Sequence, residues 1–506
     1  MFHDYQLMPS FLNIDNLHHF DNHTVHRATV WVVVFISLCV MVIGVPILPP
    51  ATSAAVIAAW AVFLWVTVLF INCHIDNLVI FWLALSPYLY YYLIFPRQTP
   101  VITPDRLLIL ILLIFMCLTW RSAPIQVLPK EAKMAAYFWG LYILVCIVSL
   151  FGQPITHELF GAYRLLLEGL VFPFLFGLYM MCFFDLRQNL YALHACICVL
   201  ASGICIISVI EFVTGQNIFP WTGSGEYTAG AITQIIRPDG PYEQPAILSA
   251  IGLLLFILLA YLQTLMQHNL TLKRRLLHQI GIWSSLISAL APLNRGVIII
   301  LGILALIDMF QKRRIVPRYI WIFLFGGIVF LALFAKLAYP DVYADRTTDS
   351  DNIYQRLAQD KETLQVIRHH ALLGVGMNYY NYFVSQDPKY LVRWRGIESM
   401  NVPHNLAMTV LAEEGLTGAF FFLAAQIFMI KGIWKTRKNR RRGWLAFLYC
   451  FLSYWLLGMD FALNYYADAN LIYMLIIGLL YQSQYISNAS DQINNFHLEA
   501  PHAVTA

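Results

Sequence analysis

Long, nearly uninterrupted apolar segments are the feature of this 506-residue sequence that most restricts its fold. They include residues 31–45, 107–120, 170–184, 246–265, 319–338 and 445–459. A bilayer core accepts about 20 apolar residues per helix, and backbone groups in lipid must be bonded within their own segment. Only 12% of the residues are charged, against about 25% in soluble domains. The sequence therefore predicts an all-α polytopic membrane protein.

The apolar segments predict about 14 transmembrane helices. We place them near residues 29–46, 52–71, 77–95, 105–121, 134–151, 160–183, 189–212, 245–267, 279–291, 294–310, 319–338, 404–430, 443–459 and 469–485. Lys and Arg residues cluster at 273–275, 312–318 and 431–442, which this order of helices puts on one side. Because short cytoplasmic loops carry such an excess, we expect this side and both termini to be cytoplasmic. The long polar loop 339–403 then lies outside.

Four regions follow from this pattern. They are a cytoplasmic N-terminal segment (1–28), an N-terminal transmembrane region (29–212), a core with the long loop (213–430), and a C-terminal transmembrane pair with a cytoplasmic tail (431–506). The net charge of +4 is too small to indicate nucleic-acid binding, and all nine cysteines lie in or beside apolar segments, so no disulfide framework is expected. The sequence contains no nucleotide-binding glycine loop and no metal-ligand spacing. We therefore expect neither a metal nor another cofactor.

His404 follows Pro403 and precedes Asn405 where the chain re-enters the membrane. Proline suits the first turn of a helix, which would put His404 at the positive end of the helix macrodipole. This position disfavours the charged ring, so a neutral imidazole is available as a base. The alternative is a histidine that only caps the helix at the interface.

Two arginines outside the long loop are further candidates. Arg295 lies between two apolar segments, and an arginine at membrane depth is costly and usually functional. The alternative is an arginine that marks a helix end by snorkelling. Arg237 begins a segment with several prolines and a glycine, typical of turns, and offers an outward-facing cation. For Arg237 the structural and functional interpretations stay open.

The long loop contains a segment with helical periodicity. Tyr354, Leu357, Lys361, Leu364 and Arg368 recur at helical spacing and predict an amphipathic helix along the membrane interface, ended by the glycines of 373–376. Aromatic residues and an Arg-Trp-Arg sequence follow (Tyr379, Tyr380, Tyr382, Phe383 and 393–395). They fit either an aromatic interface belt or contacts with a sugar and a phosphate. We favour the interface for these residues, and a functional role for Arg356.

Several motifs, in the same order, resemble those of the O-antigen ligase and polymerase superfamily. They are Arg237 with Gly240, Asn294-Arg-Gly296, the stretch 352–376 with Arg356, Pro403-His-Asn405, and Leu411-Ala-Glu-Glu-Gly415 with Gly418. One position departs from the family pattern, since Asn294 replaces the serine that usually precedes the Arg-Gly pair. The resemblance covers residues 237–420.

The resemblance implies a GT-C-like membrane glycosyltransferase of the bacterial inner membrane. Such enzymes move a glycan from an undecaprenyl diphosphate carrier to an acceptor hydroxyl at the periplasmic face, with inversion and without a metal. Carried over, His404 is the base, and Arg295 and Arg356 hold the diphosphate. We expect the remaining substrate-binding residues to be Arg237, Arg368, Asn405 and Glu413.

The partners implied by the resemblance are a lipid-linked glycan donor, a saccharide or lipid A–core acceptor and membrane lipid, with a chain-length regulator and a flippase as further candidates. The same chemistry serves a ligase and a polymerase, and the number of spans and the long loop favour a polymerase slightly. Two other classes stay open: a transporter or flippase of lipid-linked sugars, and a non-catalytic subunit of a polysaccharide assembly complex. Transport predicts charged residues along the spans towards both faces, whereas these candidates gather on the outer side.

Overall fold

The computed structural model describes residues 75–93, 103–119, 128–151, 153–154, 157–219, 237–242, 244–266, 271–311, 314–338, 351–399, 403, 405–435, 437, 441–463 and 466–498. Most of these residues are helical. They fall into two compact units, assigned to Met1–Val127 with Cys182–Asp185 and to Leu128–Met181 with Leu186–Ala506. The spans predicted near 29–46 and 52–71 lie outside the described residues.

The first unit contains helices α1 (Ile75–Leu93) and α2 (Pro104–Thr119). The two helices are in contact, with Val79 and Leu112 fully buried. The Asp76 carboxylate accepts a hydrogen bond from the backbone N–H of Asp185 (3.0 Å). This bond joins the start of α1 to the second segment of the same unit.

Among its described residues, the second unit contains fourteen further helices, a π-helical segment, a 3₁₀-helix and a hairpin of two strands. In chain order they are α3 (Lys130–Leu150), α4 (His157–Arg164), the π-helical segment (Leu165–Val171), α5 (Phe172–Cys182, whose last residue belongs to the first unit), α6 (Leu186–Thr214), α7 (Pro245–Met266), α8 (Leu272–Leu290), α9 (Arg295–Met309), α10 (Arg318–Ala338), α11 (Asp351–His369), α12 (Tyr380–Gln386), the 3₁₀-helix (Pro388–Tyr390), β1 (Arg393–Trp394), β2 (Ile397–Glu398), α13 (Leu406–Glu413), α14 (Gly415–Lys435), α15 (Arg441–Gly458) and α16 (Ala467–Leu498). The strands are antiparallel, with Arg393 opposite Glu398.

Five helical stretches among the described residues are long and apolar enough to cross a bilayer. They are Lys130–Leu150, Leu159–Cys182, Leu186–Thr214, Pro245–Met266 and Gly415–Lys435. They agree with the predicted class of an all-α membrane protein. The predicted total of about 14 spans is not confirmed and stays a prediction.

The span predicted over 404–430 is wrong as a single helix. It consists of α13 and α14, which are separated at Glu414. Gly415 has a φ of 67°, a left-handed conformation that glycine adopts at little cost. The backbone therefore ends one helix and starts another within one apolar segment, because hydropathy does not report such a local change of conformation.

Helix α7 lies at the centre of the second unit, and almost all of its side chains are buried. Helix α8 contacts both α7 and α6. Small residues permit these contacts: a Cβ on Gly281 would lie 2.8 Å from Cys198 Sγ, and one on Gly252 would lie 2.9 Å from Ala289 Cα. Glycine at the crossing lets helix backbones approach closely, as is common in membrane bundles.

The described members of all three basic clusters lie at one end of the second unit, which we call the basic end. Lys273 lies in the first turn of α8, α14 ends at Lys435 and α15 begins at Arg441. A Cβ on Gly443, near the start of α15, would lie 3.9 Å from the hydroxyl oxygen of Tyr261, near the end of α7 that precedes α8. Arg314 donates a hydrogen bond to the Met309 carbonyl at the end of α9 (3.0 Å). The opposite end, which holds the start of α9, is called the Arg295 end below. The shared side that the sequence predicted for the three clusters is therefore present in the fold.

Residues 351–399 form a small folded region at the Arg295 end. Its core contains Val366, Val375, Tyr380, Val384, Tyr390 and Ala412. The buried Glu362 carboxylate accepts hydrogen bonds from the hydroxyls of Tyr380 (3.0 Å) and Ser399, and burial raises the pKa of Glu362. The prediction of an aromatic interface belt is therefore wrong for Tyr379 and Tyr380, which are buried. Tyr380 belongs to this core, and the Tyr379 hydroxyl donates a hydrogen bond to the Pro154 carbonyl (2.8 Å).

Candidate active site

Arg295 is the first residue of α9, at the Arg295 end. The Asn294 side chain caps this helix by accepting a hydrogen bond from the Gly296 N–H (2.9 Å). Asparagine and serine are both favoured at this capping position. The departure from the family pattern at Asn294 therefore keeps the cap, and Arg295 is exposed at the helix start.

Arg237 lies next to the turn that precedes Arg295. Its Nε donates a hydrogen bond to the carbonyl of Pro292 (2.8 Å). Leu293 in the same turn has a φ of 55°, a conformation that costs a non-glycine residue about 1–3 kcal/mol. Arg237 thus contacts a strained turn that ends two residues before Arg295, so these two predicted residues belong to one region.

Asp460 joins Arg356 to the start of α9. Its carboxylate accepts a hydrogen bond from Arg356 and forms an ion pair with it. Its other oxygen lies 3.1 Å from the position that a Cβ would take on Gly296. The Asp460 carboxylate therefore lies between the Arg356 side chain of the long loop and Gly296, the residue after Arg295. A direct approach of the Arg295 and Arg356 side chains stays a prediction.

His404 itself lies outside the described residues, whereas the start of the helix that follows it is described. The position of a Cβ on Gly458 lies 2.9 Å from Leu406 Cδ2, so the start of α13 packs against the end of α15, two residues before Asp460. The prediction that Pro403 opens the helix is wrong. Asn405 is the N-cap, since its side chain accepts the N–H groups of Ala407 (3.0 Å) and Met408 (3.3 Å), and His404 precedes the cap.

Glu413 holds the long loop on the helices. Its buried carboxylate accepts hydrogen bonds from the backbone N–H groups of Asn378 (2.8 Å) and Tyr380 (3.4 Å). Its carbonyl accepts the Gly376 N–H (2.9 Å), and the Leu416 N–H donates to the Ala371 carbonyl (2.8 Å). These bonds attach residues 371–380 to the junction of α13 and α14. A contact between Glu413 and a substrate stays a prediction.

Arg368 does not join the cluster around Asp460. It is exposed near the end of α11, about 18 Å along the helix axis from Arg356. The twelve-residue spacing also turns its side chain about 120° around the helix from that of Arg356. The two arginines on α11 therefore point to different surroundings, and a contact between Arg368 and a substrate stays a prediction.

Residues 280–423 match the family model described as O-Antigen ligase. The match confirms the predicted resemblance to the O-antigen ligase and polymerase superfamily. It contains Arg295, Arg356 and the segment around His404, whereas Arg237 and Asp460 lie outside its bounds. No curated protein matches the chain.

Sequence reasoning missed Asp460, which lies two residues after the end of α15. An acidic residue directly after the apolar run 443–459, on the side of Arg295, was the available signal, since a charge at a membrane boundary needs a partner. Sequence reasoning also missed Gln153, whose Nε2 donates to the Val375 carbonyl (2.9 Å). Gln153 ties the loop to the end of α3.

A pair of acidic residues fixes the Arg237 segment. The Glu211 carboxylate accepts the N–H groups of Gly240 (2.8 Å) and Ile218 (3.0 Å). Asp239 is buried beside it and accepts a hydrogen bond from Asn217 (3.0 Å). Burial, followed by the neighbouring Glu211 carboxylate, raises the pKa of Asp239 to about 8. Asp239 is therefore largely protonated at neutral pH.

This raised pKa predicts that the protein loses stability between about pH 4 and pH 8. The unfolded chain releases the Asp239 proton near pH 3.9, whereas the folded protein keeps it until about pH 8, so stability falls as pH rises through that window. Asp239→Asn is expected to flatten this part of the profile, measured as the Tm of the purified protein. Asp387→Asn is the control, because Lys389 lowers the pKa of Asp387; an equal flattening in both variants would contradict the assignment.

Proposed function

We propose that this protein is a membrane glycosyltransferase of the O-antigen ligase or polymerase type. It transfers a glycan from an undecaprenyl diphosphate carrier to an acceptor hydroxyl at the periplasmic face. The observation that carries the proposal is the Asp460 carboxylate, which brings Arg356 of the long loop to the start of α9. Segments distant in sequence thus meet at one end of the membrane helices, within and beside the region that matches the family.

The arginines supply the positive charge that a diphosphate leaving group requires. A guanidinium binds phosphate oxygens in a bidentate manner, and the N-terminus of α9 adds the positive end of a helix dipole. The Asp460 carboxylate pairs with Arg356, and a diphosphate offers the same arginine a stronger negative charge. Fixed cations aimed at the leaving group stabilise the charge that develops in the transition state.

His404 takes the proton of the acceptor in this proposal. The acceptor oxygen forms a bond with the anomeric carbon, and the bond between that carbon and the diphosphate oxygen breaks. The acceptor proton passes to the imidazole, and the lipid diphosphate leaves with the electron pair, so the anomeric centre inverts. The N-terminus of α13 begins directly after His404 and Asn405, which favours the neutral ring that this step needs.

The orientation follows from the basic end. Lysine and arginine residues in short loops stay in the cytoplasm, and the described basic clusters lie opposite Arg295. The cluster of Arg237, Arg295, Arg356 and Asp460 is then periplasmic. A bacterial inner membrane with lipid-linked glycans on its outer leaflet provides the corresponding substrates.

A reconstituted assay tests the proposal. Purified full-length protein in proteoliposomes receives an undecaprenyl-diphosphate oligosaccharide and a saccharide acceptor, and mass spectrometry follows the products. A new glycosidic linkage is the expected result. Movement of the lipid-linked sugar across the membrane without a new linkage would instead indicate a transporter. If neither a new linkage nor movement were observed, the protein would be a non-catalytic subunit.

Arg356→Ala is expected to lower the transfer rate about 10²–10³-fold, the usual loss when one transition-state donor is removed. The protein should stay folded, because the ion pair with Asp460 is half exposed and such pairs contribute about 0–1 kcal/mol. The matched control is Arg393→Ala, which removes an arginine paired with Glu398 (3.0 Å) in the same loop. Equal rates in the two variants would contradict the role of Arg356.

A further inference from the structure

Helix α11 is attached to the membrane helices at both of its ends. Near its start, Arg356 bonds to Asp460, two residues after α15 ends. Beyond its end, Val375 and Gly376 donate hydrogen bonds to the carbonyls of Ala412 and Glu413 (2.9 Å each). Both attachment points lie at the Arg295 end of the helices. Helix α11 therefore lies across the ends of the membrane helices instead of projecting away from them.

The two faces of α11 differ in their surroundings. One face carries the buried residues Ala358, Glu362 and Val366, and the helix contacts α13 and the β-hairpin. The opposite face exposes Ile353, Leu357 and Leu364, which follow one another at helical spacing. Lys361 and Arg368 are exposed on the same face. An exposed apolar stripe flanked by cations is typical of a helix that lies in a lipid interface.

This stripe continues into the lipid-facing side of a membrane helix. Leu372 and Leu373, just after α11, are 71% and 60% exposed. The Leu372 carbonyl accepts the Thr417 N–H (3.2 Å), so these leucines lie beside the start of α14. The exposed side of α14 carries Leu416, Phe420, Leu423 and Ile427. Because α14 is long and apolar enough to span the bilayer, the apolar surface runs from the membrane helix onto the loop.

We propose that the exposed face of α11 rests on the membrane surface at the Arg295 end. The side chains of Leu357 and Leu364 enter the boundary between headgroups and acyl chains. Lys361 and Arg368 bind the phosphates of anionic lipid headgroups. The surface is thus a lipid-docking site that holds the loop at the level of the bilayer. The inference does not depend on the proposed transfer reaction.

Photo-crosslinking in vesicles tests this docking. The photoreactive residue p-benzoylphenylalanine replaces Leu364 in the full-length protein, which is reconstituted in phosphatidylcholine vesicles with or without phosphatidylglycerol. The control position is Gln386, which is exposed on α12. Phospholipid adducts, detected by mass spectrometry, are expected at position 364 and largely absent at position 386. Equal lipid yields at the two positions, or adducts only with protein at 364, would overturn the proposal.

A double variant tests the headgroup contact separately. Lys361→Gln with Arg368→Gln removes two exposed charges and keeps polar side chains that suit a helix, so the fold should be unaffected. The yield of phosphatidylglycerol adducts at position 364 should fall several-fold, while the yield of phosphatidylcholine adducts stays the same. A phosphatidylglycerol yield that does not fall would show that the two cations do not bind anionic headgroups.

Discussion

Glycan transfer is expected to fall about 10²–10⁴-fold when His404 is replaced by alanine, the loss typical of a positioned acid or base. The fold should survive the change. The first turn of α13 receives its cap from Asn405, whose side chain accepts the N–H groups of Ala407 and Met408. Removal of the imidazole leaves both of these hydrogen bonds in place.

The same cap separates the two interpretations of His404. If the histidine only capped the helix, His404→Ala would lower the Tm and leave the transfer rate of the remaining folded protein unchanged. Asn405→Ala is the variant expected to lower stability, by about 1 kcal/mol for a lost cap. His369→Ala, an exposed histidine on α11, is the matched control for activity. Near-normal product from His404→Ala would refute the assignment of the base.

The sequence was sufficient to predict features that depend on local chemistry. The apolar segments predicted helices because a backbone in lipid must bond to itself. Glycines at 374 and 376 predicted the end of the loop helix near them; both have left-handed φ values, although α11 already ends at His369. The spacing from 354 to 368 predicted α11 and its exposed face. Each of these features is determined within one or two helical turns of the chain.

Features that depend on distant segments were not predictable from one sequence. The bond between Arg356 and Asp460 joins residues 104 positions apart, and the sequence around Asp460 contains nothing that selects Arg356 over another arginine. The burial of Glu362 was not predictable either, because the hydroxyls of Tyr380 and Ser399 that donate to it come from later segments of the loop. Tyr379 and Tyr380 were assigned to an interface because aromatic composition alone does not distinguish a membrane belt from a small core.

Gly374 lies where the long loop is attached to the membrane helices, next to the hydrogen bonds from Val375 and Gly376. Gly374→Ala should detach the loop, with a loss of stability above about 4 kcal/mol and of transfer activity. Gly374 has a φ of 67°, and a Cβ at this position would overlap the backbone carbonyl group of Glu413. A clash between backbone atoms cannot be relieved by a side-chain rotation. The hydrogen bonds from Val375 and Gly376 to the carbonyls of Ala412 and Glu413 would be lost when the loop detaches.

Gly396→Ala is the control that separates steric overlap from backbone strain. Gly396 also has a left-handed φ of 86°, but a Cβ there meets nothing within 4 Å. Its cost should be limited to the conformational penalty of about 1–2 kcal/mol. Thermal unfolding and hydrogen exchange of the Val375 and Gly376 amides would compare the two variants. Equal losses of stability would mean that strain alone matters, and that the contact between Gly374 and Glu413 does not hold the loop over the cluster of Arg356 and Asp460.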